Sequence, residues 1–291
     1  MRNTEERYIS LLTDFGFKRI FGTNPNKDLL IDFLNSLFDG EQVVRDVTFL
    51  NSEHVGDVRA DRKAIFDVYC ENEKGEKFIV EMQNASQKYF KDRSLYYATF
   101  PIREQAQKGE VWNYDLKHVY VVALLNYDMT DSAFAQDTIN HDIGLLDKQT
   151  HRVFNDKLTF KYVEIAKFKK SIEELKTNYD KWIYVLQNLS RLDRQPKYLQ
   201  TAVFSRLFNQ AEIARFSKTE LREYEDSLKA YRDMKNSLDN AEEKGRAEGR
   251  AEGKKDKTVE IAKKLLDMDM PIDAIMKATG LSQEEITKFY K

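Results

Sequence analysis

The chain has 291 residues, of which 41% are hydrophobic and 12% aromatic, enough apolar material for a packed core and too much for a disordered chain. A formal net charge of −2 carries no global nucleic-acid signature, so any contact with a phosphate backbone must come from a local patch. The single cysteine, Cys70, excludes an internal disulfide framework and a cysteine-rich zinc site, and it reads as a small buried hydrophobe.

The first residues, M-R-N-T-E-E-R-Y, hold no apolar signal core, and no run approaches the roughly 18 apolar residues of a membrane span. A cytoplasmic protein with no membrane partner is the expectation. Phe15, Phe17, Ile20 and Phe21 anchor the opening segment to the core. Leu29, Leu30, Phe33, Leu34 and Leu37 recur at helical spacing and predict an amphipathic helix over Lys27–Phe38. Residues 43–50 read as a first strand and the polar residues 51–63 as a loop.

Residues 64–84, A-I-F-D-V-Y-C-E-N-E-K-G-E-K-F-I-V-E-M-Q-N, predict a β-hairpin. Closure by a Glu73-Lys74-Gly75 loop, with Gly75 in the left-handed conformation, makes the pairing symmetric about Lys74. Alternation sets Phe66, Val68, Phe78, Val80 and Met82 on one face. Asp67, Glu81 and Gln83 fall on the other, beside Ile65, Tyr69 and Ile79. Asp67 then lies directly opposite Glu81, where side chains are about 4.5–5.5 Å apart at Cβ and like charges repel. Two carboxylates so close invite a shared cation or proton. Exposed acids on a hairpin are also commonplace, so spacing alone leaves an ordinary solvated pair open.

Residues 86–108 carry Tyr89, Phe90, Tyr96, Tyr97, Phe100 and Ile102, interleaved with Lys88, Lys91, Arg93 and Arg103, and read mostly as a helix that Pro101 kinks or breaks. Residues 117–125 read as a strand buried on both faces. The resulting order, helix, three strands, helix, strand, is a mixed α/β pattern. A further strand is expected over 158–165, and helices carrying Trp182, Val185, Leu186 and Leu189 and then spanning 199–216. The charged stretch 218–257 contains the near-repeat K-G-R-A-E-G-R-A-E-G-K, with Gly245, Gly249 and Gly253 spaced by four. As a helix it would present a glycine stripe to a partner helix, each glycine costing about 0.8–1 kcal/mol relative to alanine. A solvated, partly frayed spacer is the plainer reading. Residues 258–291 form short helices, one over 259–266, one starting near Pro271 and one capped by Ser282 with Glu285. Their outline is a helix-turn-helix, although Glu284 and Glu285 favour a packing or partner-binding unit over one that reads DNA.

Asp67 and Glu81 across a strand pair suit a hard divalent cation, with the Met82 backbone carbonyl between the polar residues as a further oxygen. Such a metal serves phosphodiester hydrolysis by polarising the phosphate, activating a water and steadying the leaving oxygen. Gln83 on the same face can orient that water or a phosphate oxygen. It carries no charge, which leaves Lys18 or another basic residue to supply a cation. Asp14 and Lys18, spaced i, i+4, fit either a place near this site or an ordinary helical ion pair. Arg93 fits a phosphate clamp or a cover for the sheet, and Tyr96 and Tyr97 fit the core.

The D-V-Y-C run at Asp67 with V-E-M-Q at residues 80–83 resembles the core of the PD-(D/E)XK nuclease superfamily, and more narrowly the Rpn family of recombination-promoting nucleases and transposases. T-D-F-G-F-K-R-I-F-G, L-L-I-D-F-L-N-S-L-F, Y-F-K-D-R-S-L-Y-Y and the tail ending I-M-K-A-T-G-L-S-Q-E-E-I are similar to that family in the same order, and the similarity spans nearly the whole chain. The resemblance implies a restriction-endonuclease-like αβββαβ core followed by a mainly helical C-terminal part, a divalent metal (Mg²⁺, with Mn²⁺ or Ca²⁺ as alternatives) and cleavage of DNA. Carried over, Asp67 and Glu81 become metal ligands and catalytic residues. Gln83 takes the place of a third motif residue that is usually lysine. The superfamily's acid on the leading helix has two candidates here, Asp14 and Asp32. Lys88, Lys91 and Arg93 are the candidate DNA contacts.

The expected organisation is a nuclease-like core over 1–170 and a helical extension over 171–240. A charged helical spacer over 241–257 and a helix-turn-helix-like tail over 258–291 complete it. A Mg²⁺-dependent endonuclease with little sequence preference, a homo-oligomer (a dimer first) formed through the helical C-terminal part, is the leading expectation. The alternatives are a nuclease-derived interaction protein without turnover and a DNA-binding regulator using the terminal helices.

Overall fold

Near the start of the chain the sequence pattern translates directly into packing. The computed structural model describes residues 6–54, 64–106, 113–129 and 134–288. Helix α1 (Asp14–Phe21) starts at Thr13, whose hydroxyl accepts a hydrogen bond from the Gly16 N–H. A Cβ at Gly16 would collide with the Ser10 carbonyl, which explains the glycine in T-D-F-G-F. Helix α2 (Lys27–Phe38) has the predicted bounds and buries Leu29, Leu30, Phe33, Leu34 and Leu37.

Strands β1 (Val47–Phe49), β4 (Val68–Asn72), β5 (Lys77–Gln83), β6 (Val119–Leu125), β7 (Asn140–Leu146) and β8 (Val153–Val163) form one sheet in the order β1-β4-β5-β6-β8-β7. The short strands β2 (Glu53–His54) and β3 (Ala64–Ile65) pair separately. Pairing is antiparallel from β1 through β4 to β5, parallel from β5 through β6 to β8, and antiparallel again at β7. Helix α3 (Phe90–Glu104) makes the crossover between the parallel strands β5 and β6. It covers the sheet face of Tyr69, Ile79, Val121 and Ala123. Helices α1, α2, α4 (Asn178–Asn188) and α5 (Ala202–Ala211) cover the opposite face, that of Val68, Cys70, Phe78, Val80 and Val122. With both faces occupied, every residue of β6 is buried, as its unbroken apolar run requires.

The β4–β5 hairpin has the expected register: Val68 pairs with Val80, Tyr69 with Ile79, Cys70 with Phe78 and Glu71 with Lys77, symmetric about Lys74. Gly75 has φ +77°, and the Asn72 carboxamide oxygen accepts from the N–H groups of Lys74 and Glu76. One face assignment needs correction. Phe66 packs with Tyr69, Ile79 and Phe100 rather than with Val68. The chain bends at Asp67 between β3 and β4, so the two-residue period does not carry across that point.

Other elements differ in extent from their expected bounds. The first strand covers only Val47–Phe49, because the N–H groups just before it go elsewhere: Val44 donates to the Asn35 side chain, and Arg45 and Asp46 donate to Glu73. Of the expected loop, residues 55–63 lie outside the described residues, and Glu53–His54 is a strand. Helix α3 begins at Phe90, runs through Pro101 in its last turn and ends at Glu104; residues 107 and 108 of the expected span lie outside the described residues. Strand β8 starts at Val153, ahead of the expected 158, and its partner β7 is an additional edge strand.

The chain clusters into two compact units that divide between Tyr231 and Arg232. Helix α6 (Lys218–Asp267) is continuous through Gly245, Gly249 and Gly253, so the spacer is helical and residues 259–266 are its end rather than a separate helix. In the second unit, α7 (Ile272–Thr279) starts after Pro271 and stops at Gly280, φ +74°. Helix α8 (Gln283–Thr287) carries the predicted Ser282–Glu285 capping box. Ala262, Ile275 and Ile286 form the small core of this unit. Among the described residues no helix is long and apolar enough to cross a membrane.

Candidate active site

The hairpin brings Asp67 to the edge of Glu81. The Asp67 N–H donates to Glu81 Oε1 at 3.3 Å, and Asp67 Oδ2 accepts from the Met82 N–H at 2.8 Å. Along an extended strand the N–H and C=O of one residue point the same way, so the Met82 carbonyl is presented on the side of Asp67. Glu81 and Gln83 are buried, and Gln83 Nε2 donates to Glu81 Oε2 at 3.0 Å. The other end of the Gln83 amide accepts from Arg93 Nη2 at 2.5 Å, while Arg93 Nη1 donates to Gln87 Oε1. Three side chains that the sequence scatters between a hairpin and a helix thus form one chain of contacts, Glu81–Gln83–Arg93, and the Asp67 backbone N–H joins it at Glu81.

Burial raises the pKa of Asp67 above the ordinary carboxylate value, against the opposing pull of the Met82 N–H, Lys18 and Arg93. Burial does the same to Glu81, and the neighbouring charge of Asp67 adds to it. Both carboxylates are therefore held at a cost that a shared cation would relieve. Lys18 and Asp14, on α1, form an ion pair of 2.7 Å. Burial draws the Lys18 ammonium down, but the Asp14 hydrogen bond and the negative field of Asp14, Asp67 and Glu81 hold its pKa above normal. Lys18 thus reaches the carboxylate pair electrostatically while paired with Asp14.

Of the two candidate acids on the leading helices, Asp14 lies within the field of Asp67. Asp32 does not belong to this cluster: its Oδ1 accepts from Asn178 Nδ2 at 2.7 Å and Trp182 Nε1 at 2.6 Å, which ties α2 to α4. Lys88 and Lys91 line a neighbouring cleft. Tyr97, read from sequence as core, is a site neighbour. Burial and the fields of Glu81 and Asp67 raise its phenol pKa, and Arg93 lies 5.7 Å from its ring centroid. Its position one helical turn after Arg93 is the sequence signal that would have found it. Among the described residues no group of three or more His, Cys, Asp and Glu side chains is set to hold a metal. Two carboxylates with a carbonyl nevertheless suit Mg²⁺, which is bound by one or two carboxylates and keeps several waters.

The α1–β1–β4–β5–α3–β6 order, with an acidic pair at one end of the β4–β5 hairpin, is that of a restriction-endonuclease-like PD-(D/E)XK core followed by a mainly helical C-terminal part. Residues 11–241 match the model of the PD-(D/E)XK nuclease family transposase, and residues 255–289 match that of the Rpn/YhgA-like nuclease family, C-terminal HTH domain. The chain belongs to the PD-(D/E)XK nuclease family transposases, in their Rpn/YhgA-like branch. No curated protein and no solved structure matches it. The terminal helices, whose acidic α8 weighs towards a packing unit, are matched as a helix-turn-helix domain of that family.

Proposed function

We propose that the protein is a metal-dependent endodeoxyribonuclease that hydrolyses phosphodiester bonds with little sequence preference, in the service of DNA recombination or mobile elements. One observation carries the reading: within this family's fold, the Asp67 N–H donates to the Glu81 carboxylate and the Asp67 carboxylate accepts from the Met82 N–H, which sets the two acids side by side, where burial raises the pKa of each. A divalent cation, Mg²⁺ before Mn²⁺ or Ca²⁺, would be held by Asp67, Glu81 and the Met82 carbonyl with Asp14 at the rim, and would supply Lewis-acid polarisation and an acidified water.

The remaining roles fall to the chain's own residues. The Gln83 amide has two N–H donors; Glu81 uses one, and the other orients the attacking water. An amide cannot take the proton, so Gln83 positions rather than deprotonates. Arg93 and Lys18 supply the positive charge that meets the phosphate as its negative charge develops. Lys88 and Lys91 contact the DNA backbone. The helix-turn-helix domain adds a second DNA contact, and one acid of its last helix, Glu285, is taken up in capping that helix through Ser282. Residues 1–170 are the nuclease core and 171–240 its helical extension. Residues 241–257 are a helical spacer and 258–291 the terminal helical unit, and the helical C-terminal part assembles a homo-oligomer, a dimer first.

Nicking of supercoiled plasmid tests this. Wild-type protein with Mg²⁺ converts plasmid to open-circle and linear forms, and EDTA, Asp67→Ala or Glu81→Ala abolishes the conversion while circular dichroism stays native. Unchanged cleavage by either variant would overturn the assignment.

A further inference from the structure

A cleft of about 260 Å³ is lined by Ser86, Gln87, Lys88, Phe90, Lys91, Tyr127 and Met129. It is smaller than the roughly 300–1,000 Å³ of pockets that take drug-sized ligands, so it admits one ring system rather than a large molecule. Its walls combine two kinds of chemistry. Phe90, Tyr127 and Met129 offer apolar and aromatic surface, and Lys88 and Lys91 offer ammonium groups. Ser86 and Gln87 add hydroxyl and amide groups able to pair with a polar ring edge. An inorganic anion has no use for the aromatic side, and an apolar ligand has none for the lysines. A nucleotide uses both, through its base and its phosphate.

The cleft is joined to the catalytic chain at a specific point. Gln87 lines it, and the Gln87 side chain accepts from Arg93, which in turn donates to Gln83 at 2.5 Å. Tyr127, also in the lining, follows Asn126, whose N–H donates to the Gln83 carbonyl at 2.8 Å. The cleft is thus linked to the carboxylate pair by one run of hydrogen bonds, Gln87–Arg93–Gln83–Glu81.

The geometry points to a pocket for an extrahelical nucleobase next to the scissile phosphate, so that the preferred substrate is DNA with an unpaired nucleotide at the cleavage point. This rests on the nuclease reading above. A base inside a duplex can reach such a pocket only by leaving the stack, which costs least where the base is mismatched or already unpaired. Tyr127 supplies the stacking surface and Lys88 the phosphate contact.

Fluorescence anisotropy of the full chain tests it, with a labelled duplex carrying one unpaired nucleotide and the same duplex fully paired, in EDTA and again with Ca²⁺. The unpaired duplex is expected to bind at least tenfold more tightly, in line with the strength of base–aromatic stacking. Tyr127→Leu and Lys88→Glu are each expected to bring the ratio below threefold, and Tyr127→Phe, which keeps the ring, to preserve it. Lys88 is a surface side chain, so its variant answers even if Tyr127→Leu unfolds. Equal wild-type affinity for the two duplexes overturns the pocket and leaves the nuclease assignment standing. A preference that survives both Tyr127→Leu and Lys88→Glu also overturns it. Failure to bind either duplex overturns both readings.

Discussion

Arg93 donates a 2.5 Å hydrogen bond to the Gln83 side chain, on the strand position where the superfamily pattern usually has lysine. The amide cannot carry charge, but it holds a guanidinium that can. Arg93→Ala should then slow plasmid nicking about 10²–10³-fold, the scale of removing one transition-state donor. Gln83→Lys added to Arg93→Ala should recover at least about tenfold of that loss, because it returns a cation to the same place. Initial nicking rates at saturating Mg²⁺ measure both. An Arg93→Ala enzyme at the wild-type rate would leave Arg93 as a cover for the sheet.

The carboxylate pair predicts how stability depends on pH and metal. Burial raises the pKa of Asp67 and Glu81 in the folded state, so between their ordinary values and the raised ones the folded chain binds more protons than the unfolded chain. Stability must fall as pH rises through that window, from the ordinary carboxylate range upward. Without metal, Glu81→Gln should therefore stabilise the protein at pH 8 by on the order of 1 kcal/mol, about 2–4 °C in Tm for a domain of this size. It should change little at pH 4. Mg²⁺ or Ca²⁺ should raise the wild-type Tm more at pH 8 than at pH 5 and leave Glu81→Gln unmoved. Scanning calorimetry across this pH range decides it, and an equal metal shift in wild type and variant would refute the shared-cation reading.

How much of this was legible beforehand follows from which signals are local. The hairpin register was, because Gly75 and Asn72 determine the turn and a turn determines pairing. Helix α2 and strand β6 were, because their apolar spacing is unambiguous. Phe66 was misplaced because a bend at Asp67 resets the alternation. Strand β7 was missed because N-H-D-I-G-L-L is mostly exposed, with only His141 buried, and a solvated edge leaves no buried alternation to read. At the site, the facing carboxylates came from the hairpin pattern. The Gln83–Arg93 link joins a strand to a helix through side-chain reach, which no spacing rule encodes.

The same limit hid a buried polar cluster at the β7–β8 end of the sheet. Glu164 is fully buried, accepts from His141 Nε2 and Lys167 Nζ at 2.7 Å each, and receives the Met129 N–H at 2.5 Å. Burial alone would raise its pKa, but the Lys167, Met129 and His141 hydrogen bonds together hold it below the usual value. The stability it contributes is present above the ordinary carboxylate pKa and is lost as pH falls through the depressed one. Glu164→Gln leaves Lys167 without its counter-charge and should cost about 3–5 kcal/mol at pH 7, measured by urea unfolding. A cost under about 1 kcal/mol would show that water can take over those contacts.

The glycine stripe of α6 can be tested by filling it. An added Cβ at Gly245, Gly249 or Gly253 meets nothing within 4 Å, and each glycine lies in a continuous helix. If that face is solvated, alanine at the three positions removes a cost of about 0.8–1 kcal/mol each. Far-ultraviolet helicity and resistance of α6 to limited proteolysis should then both rise, with no change in mass by light scattering. If instead the stripe admits a second helix at close range, the added methyl groups hold the backbones apart, and the triple variant should dissociate at concentrations where wild type is a dimer. Light scattering on the Gly245→Ala/Gly249→Ala/Gly253→Ala chain separates the two. A dimer that persists in the variant moves the oligomer contact off the glycine face.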